Sequence, residues 1–219
     1  MALQHHPRIV TSGLVLYTDP ANTKSYSGSG TTLTDISNSG LACSTVNSPT
    51  FSSTNAGIFT FNGSSQYLNL TNNSLIQITS GTIAAWVKSS TNDSNYRGIV
   101  VKQYAYSMFL RNGNLTIYDW QLPGERNNST SIADGTWKYV ALTFANGVTN
   151  GSNSYVNGIG VSTFTFNISS ATSQPLFGAA DPNSSQYLNG SLGLIKVYNR
   201  VLSAAEILQN YNASKGRYL

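Results

Sequence analysis

Charge is scarce in this 219-residue sequence: Asp, Glu, Lys and Arg together make up 9%, against about 25% in an ordinary soluble protein. The surface must therefore be wetted by Ser, Thr, Asn and Gly, a composition that suits exposed β structure in an extracellular or virion setting. Acids are rarer still. Glu125 and Glu206 are the two glutamates, and the aspartates are dispersed, mostly at turns, where Asp bonds its own backbone. Hydrolysis of a glycosidic bond needs two carboxyl groups about 5–9.5 Å apart across that bond. No such set, and no activated base or nucleophile, stands out, so the chain is expected not to be an enzyme.

Cys43 is alone, which excludes an intrachain disulfide and leaves it to act as a small buried hydrophobe. The two histidines, His5 and His6, are neighbours on an extended arm, so their side chains point apart and do not form a metal pair. No run approaches the roughly 18 apolar residues of a membrane helix. The first eight residues are polar and lack the apolar stretch of a secretory signal. Net charge is +4, but its 12 basic residues are scattered and accompany no recognition motif. Nucleic acid is not an expected partner.

Aromatic residues, in contrast, are plentiful: 13 Tyr, 8 Phe and 3 Trp, enough for a packed core. They fall in short alternating runs separated by turn residues. Residues 13–17, 57–61, 66–70, 81–88, 107–111, 115–118, 136–144, 154–156, 161–166 and 192–198 read as strands. Asn157-Gly158 is the strongest two-residue hairpin signal. Asn62-Gly63 is expected to close a hairpin between 57–61 and 66–70, and residues 121–131 to form a polar loop. Trp86 and Trp137 sit in strand patterns and belong to the core.

One helix is expected. Ser203 and Glu206 form an S-x-x-E capping box, and Ile207, Leu208 and Tyr211 give the helix an apolar face. About a dozen short strands and one C-terminal helix indicate an all-β, antiparallel two-sheet jelly-roll sandwich. Residues 1–11 read as an N-terminal arm and 12–219 as one domain.

Five blocks then carry a resemblance, in order along the chain: Gly13-Leu14-Val15-Leu16-Tyr17-Thr18-Asp19-Pro20; Phe61-Asn62-Gly63-Ser64-Ser65-Gln66-Tyr67-Leu68; Ile83-Ala84-Ala85-Trp86-Val87; Trp137-Lys138-Tyr139-Val140-Ala141 with Tyr155-Val156-Asn157-Gly158; and the stretch from Leu188-Asn189-Gly190 to Ala205-Glu206-Ile207. Together they resemble the laminin-G-like, concanavalin A-like jelly-roll domains. The resemblance implies that residues 14–17 lie beside 192–198. The opening Pro7-Arg8-Ile9-Val10-Thr11 then Gly13-Leu14-Val15-Leu16, with Lys24-Ser25-Tyr26-Ser27-Gly28-Ser29-Gly30-Thr31-Thr32 beyond it, and the ending Asn210-Tyr211-Asn212-Ala213-Ser214-Lys215-Gly216-Arg217-Tyr218 resemble more narrowly the single-domain structural proteins of tailed bacteriophages. That likeness implies a virion-surface protein, a head decoration or fibre component, that docks on capsid or other virion proteins, self-associates and adheres to hosts. The alternative is an extracellular, lectin-like module for cell-surface glycans.

Glycan binding on such folds uses an exposed aromatic platform beside Asn or Asp. Tyr96, Tyr104, Tyr106, Trp120 and Tyr187 are the candidates, with Asp119 next to Trp120. No cofactor is expected. A calcium ion needs several oxygen ligands. Asp181 with Asn183 is its best-placed pair and Asp93 with Asn92 the next, although ordinary Asx turns explain both. Many relatives carry an acid before the core of the closing strand, where this chain reads Leu192-Gly193-Leu194-Ile195.

Overall fold

The computed structural model describes residues 7–219, the side chains of residues 127–129 excepted. His5 and His6 lie outside the described residues. Among the described residues, eighteen strands build two eight-stranded sheets and a separate two-stranded ribbon. All ladders are antiparallel. In the first sheet the strands run Ile159–Phe164, Ser152–Val156, Trp137–Ala145, Ser80–Lys88, Asn189–Tyr198, Ile58–Asn62 and Thr50–Ser52. In the second they run Gly124–Ser131, Asn114–Asp119, Tyr106–Arg111, Arg97–Lys102, Phe177–Gly178, Tyr67–Asn69, Ala42–Val46 and Thr32–Thr34.

The closing strand Asn189–Tyr198 is central. One edge follows Ser80–Lys88; the other is shared, with Ile58–Asn62 on its first half and Leu14–Thr18 on its second. The first strand therefore lies beside the last, as the sequence blocks imply. A bulge between Leu192 and Ile195 marks the change of neighbour.

Period-two alternation sorts each strand between two cores. Ile83, Ala85 and Val87 face the second sheet and join Phe59, Phe61, Leu142, Phe144 and Val197 in the sandwich core. Ala84 and Trp86 face the other way. With Tyr139, Leu194, Tyr198 and Ile207 they form a second core, on the outer face of the first sheet. The Ala204–Ser214 helix roofs this second core. Trp86 and Trp137 are thus buried as expected, but beneath the helix. The Trp86 indole N–H donates to Ser214 Oγ at 2.9 Å, and its ring stacks on Tyr218 at 4.4 Å. Cys43 is buried in the sandwich core, and burial pushes its thiol up to about 12.

Several local expectations hold and three fail. The capping box forms: Glu206 N–H donates to Ser203 Oγ at 3.3 Å, and Ser203 N–H to Glu206 Oε2 at 2.9 Å. Asn157 and Gly158 both take positive φ, 52° and 81°, the geometry of a two-residue primed turn. The hairpin expected at Asn62-Gly63 does not exist. Ile58–Asn62 belongs to the first sheet and Tyr67–Asn69 to the second. Asn62 Oδ1 collects the N–H groups of Ser64, Ser65 and Gln66, so a side chain closes the turn and the chain crosses between sheets.

Residues 121–131 are not all loop either. Gly124–Ser131 is an edge strand, with Ile117 opposite Arg126 and Tyr118 opposite Glu125. It has one ladder partner, the Asn114–Asp119 strand, and a polar sequence suits such an edge. Leu208, expected on the buried face of the helix, is 44% exposed. The buried stripe is Ile207, Asn210 and Ser214, whose spacing leaves Leu208 about 100° away.

Candidate functional site

The middle strands of the second sheet carry aromatic side chains on their outer face. Tyr106, Met108, Leu110, Leu115 and Ile117 point into the core, so alternation puts Phe109 and Tyr118 outside. Trp120 follows the end of the Asn114–Asp119 strand and Tyr96 precedes Arg97–Lys102. Four rings meet. Trp120 lies 5.4 Å from Tyr118 and 6.4 Å from Phe109, and Tyr96 lies 5.7 Å and 5.3 Å from the same two. Tyr104 extends the strip, 6.2 Å beyond Trp120.

A ribbon forms the opposite wall. Ala180–Asp181 pairs with Gln186–Tyr187 around a short 3-10 turn, Pro182–Ser184. The ribbon lies against Gly98: a Cβ there would stand 2.4 Å from the carbonyl carbon of Ala180 and 2.7 Å from the nitrogen of Asp181. Glycine is what lets this backbone rest on the sheet. The space between the aromatic floor and Asp181, Ser184 and Gln186 is about 220 Å³. A second, polar cleft of about 410 Å³ continues past Tyr96, Ser184 and Gln186 to Ser94, Asn95 and Arg97.

The charges around the pocket divide sharply. Arg111 pairs with Glu125 and lies 4.4 Å over the Tyr96 ring. Tyr96 donates its hydroxyl to Glu125 at 2.7 Å. Arg97 holds Asp93 at 2.6 Å, keeping that carboxyl below the usual range, and Arg126 holds Asp119 at 3.1 Å. Asp181 has no such partner. It is 1% exposed, and its Oδ1 is buried without a hydrogen bond. Burial raises its carboxyl above the ordinary range; the Asn183 N–H and the hydroxyl and N–H of Ser184 offset part of this.

Of the residues expected from sequence, the structure brings Trp120, Tyr96 and Asp181 into one pocket. The others lie elsewhere. Asp119 is fully buried and saturated: it accepts from the N–H groups of Gln121, Leu122 and Asn167, from the Asn167 amide and from Arg126. Tyr106 is a core residue, its hydroxyl donating to the Ile76 carbonyl at 2.7 Å. Tyr187 packs on Tyr67, 6.3 Å away, outside the pocket. Asn183 is exposed and gives its amide to Gln174 at 3.1 Å. No group of three or more His, Cys, Asp or Glu side chains suited to a metal occurs among the described residues. Phe109, Tyr118, Ser184 and Gln186 were missed. Strand alternation from Tyr106 flags Phe109, whereas nothing local flags Ser184 or Gln186.

A sequence model of the family Laminin_G_3, described as the concanavalin A-like lectin/glucanases superfamily, matches residues 62–208. The chain belongs to this superfamily. The match includes every residue lining the aromatic pocket. No curated protein matches the sequence. Solved structures resemble this superfamily domain in fold. The binding domain of Paraclostridial Mosquitocidal Protein 1 aligns at TM-score 0.68 and 14% identity, over 92% of this chain and 52% of that one. The receptor binding domain of botulinum neurotoxin C/D mosaic serotype gives 0.68 and 16%, over 92% and 51%. Trypanosoma rangeli sialidase, in complex with the inhibitor DANA, gives 0.69 and 13%, over 95% and 35%. The chain thus spans about half the length of the toxin domains and a third of the sialidase.

Proposed function

We propose that this chain is a non-catalytic carbohydrate-binding domain, with the aromatic pocket on its second sheet as the binding site. The observation that carries the reading is the pocket itself: four converging rings and, across from them, Asp181, whose buried Oδ1 has no hydrogen bond. Ring faces stack on the apolar face of a pyranose, while Asp181, Ser184 and Gln186 bond its polar edge. The adjoining cleft gives a second sugar unit a place to sit. The structural neighbours include binding domains of toxins and a sialidase in complex with an inhibitor, a context consistent with this reading. Glycoside cleavage needs a pair of free carboxyl groups. Glu125 and Asp119, near the pocket, are each held by an arginine.

Screening the purified protein on a glycan array, then titrating the hits calorimetrically, tests this. Trp120→Ala is expected to weaken binding at least tenfold without lowering the melting temperature by more than a few degrees. Release of reducing ends from the bound glycan would overturn the non-catalytic part. Trp120→Ala binding as well as the parent would remove the pocket from the reading.

A second reading is favoured by one observation. The two segments that resemble phage structural proteins pack on each other: Val10 N–H donates to Asn210 Oδ1 at 2.9 Å, and Gln209 donates to the Arg8 carbonyl at 2.7 Å. They lie on the outer face of the first sheet, across the sandwich from the pocket. Attachment to a virion protein through the helix side would leave the pocket facing outward, so the two roles are compatible. Recovery of a capsid protein by the full chain, lost in Leu208→Glu while glycan binding persists, is the expected result. Equal recovery by both would count against the helix side.

A further inference from the structure

Asp181 gives the pocket a specific charge. A carboxylate oxygen withdrawn from water and given no donor is costly, so at the wall of a pocket it favours a ligand group that can donate to it. Two kinds of ligand group could donate to it, a hydroxyl or an ammonium. The surroundings choose between them. Each arginine at the pocket's edge already has its own acid: Arg111 with Glu125, Arg97 with Asp93, Arg126 with Asp119. Those pairs cancel, so no cation is left for Asp181, whose carboxyl is met by the neutral donors of Asn183 and Ser184 alone. The floor acts in the same sense, because aromatic faces are the negative side of the ring quadrupole and attract cations within about 6 Å. An anionic sugar would meet a carboxylate with no cationic partner beside rings packed edge to face. A protonated amine meets the opposite: an ion pair in a site of low dielectric and a ring floor that favours positive charge.

We infer that the pocket selects an amino sugar whose amine is free and protonated, held by Asp181 Oδ1 against the rings of Tyr96, Phe109, Tyr118 and Trp120. This rests on the reading of the pocket as a saccharide site and narrows its substrate class. It excludes sialylated and uronate-bearing glycans from this pocket. The chain carries a net charge of +4, so attraction of a cationic ligand has to come from the pocket and not from the protein as a whole.

The test is calorimetric titration of the full chain with four oligosaccharides: a β-1,4-linked glucosamine tetramer, its fully N-acetylated form, the matching glucose tetramer and a sialylated lactose. A buffer at about pH 6 keeps the free amines largely charged. The glucosamine tetramer is expected to bind about tenfold or more tighter than the acetylated and glucose forms, and the sialylated sugar not at all. Asp181→Asn should erase that preference and leave weak, equal binding of the three tetramers. Its melting temperature, measured alongside, should be no lower than the parent's, since a desolvated charge has been removed. If Asp181→Asn does not fold, raised salt supplies the second measurement. The preference of the parent for the free amine should shrink with added sodium chloride, while glucose-tetramer binding stays constant. Glucose or acetylated oligomers binding as tightly as the amine would overturn the amine assignment and leave the saccharide site standing. Absence of binding by every oligosaccharide would overturn both.

Discussion

Lys196 is fully buried on the closing strand, its Nζ without a hydrogen bond and 5.2 Å from the Tyr17 ring. Beside it Arg217 grips Asp19 with two bonds, 2.7 and 3.0 Å. Burial brings the Lys196 amine down to about 7; Asp19 pulls it up and Arg217 pushes it further down. In the unfolded chain it titrates near 10.4. Between these values the unfolded state holds a proton that the folded state lacks, so stability rises with pH across that window. Below about 7 the full cost of a buried charge applies. Lys196→Met should therefore melt higher than the parent at about pH 6, by an amount on the order of 1–3 kcal/mol. Its advantage should narrow towards about pH 10. Melts at both ends of the range decide it, and a variant that melts lower at both would show that the amine is needed.

At the scale of elements, the site depends on a ribbon lying flat on a sheet. Gly98 is the contact point, with the Ala180–Asp181 backbone where a side chain would be. Backbone, unlike the end of a long side chain, has little room to give. Gly98→Ala is expected to destabilise by about 1–3 kcal/mol through overpacking and to displace the ribbon. Glycan binding should fall in proportion to the loss of the Asp181 wall, with the Trp120 floor left in place. Tryptophan fluorescence on titration measures this, and unchanged binding in a folded Gly98→Ala protein would mean that the ribbon is not part of the site. The sequence showed the floor better than the wall. A period of two on residues 106–111 sorts inward from outward side chains, whereas a two-residue strand such as Ala180–Asp181 is too short to leave any pattern.

For the whole molecule, the decisive contacts tie the ends together. Asn210 is fully buried near the middle of the helix. It accepts from Val10 N–H at 2.9 Å and donates to the Tyr198 hydroxyl at 3.1 Å, which in turn donates to the Val10 carbonyl at 3.0 Å. One amide thus joins arm, closing strand and helix. Asn210→Ala leaves a buried N–H and a buried hydroxyl short of partners, and should cost about 2–3 kcal/mol in denaturant unfolding. Oligosaccharide affinity of the folded fraction should not change, because the pocket lies across the sandwich. A loss of affinity without a loss of stability would instead show that the two faces are coupled.

Composition and alternation alone determined the class of this fold: too little charge and too many aromatic residues for anything but packed strands, and one Ser-x-x-Glu box for one helix. These are short-range matters, fixed by side-chain period and local hydrogen bonding. Tertiary structure decided everything that depends on which sheet a strand joins. It broke the expected Asn62-Gly63 hairpin, buried Tyr106, saturated Asp119 and left Asp181 Oδ1 without a hydrogen bond. An aspartate reads the same in sequence whether both its oxygens find donors or one is left without. That difference is made by residues far away along the chain, Asn167 for the one and Gly98 for the other.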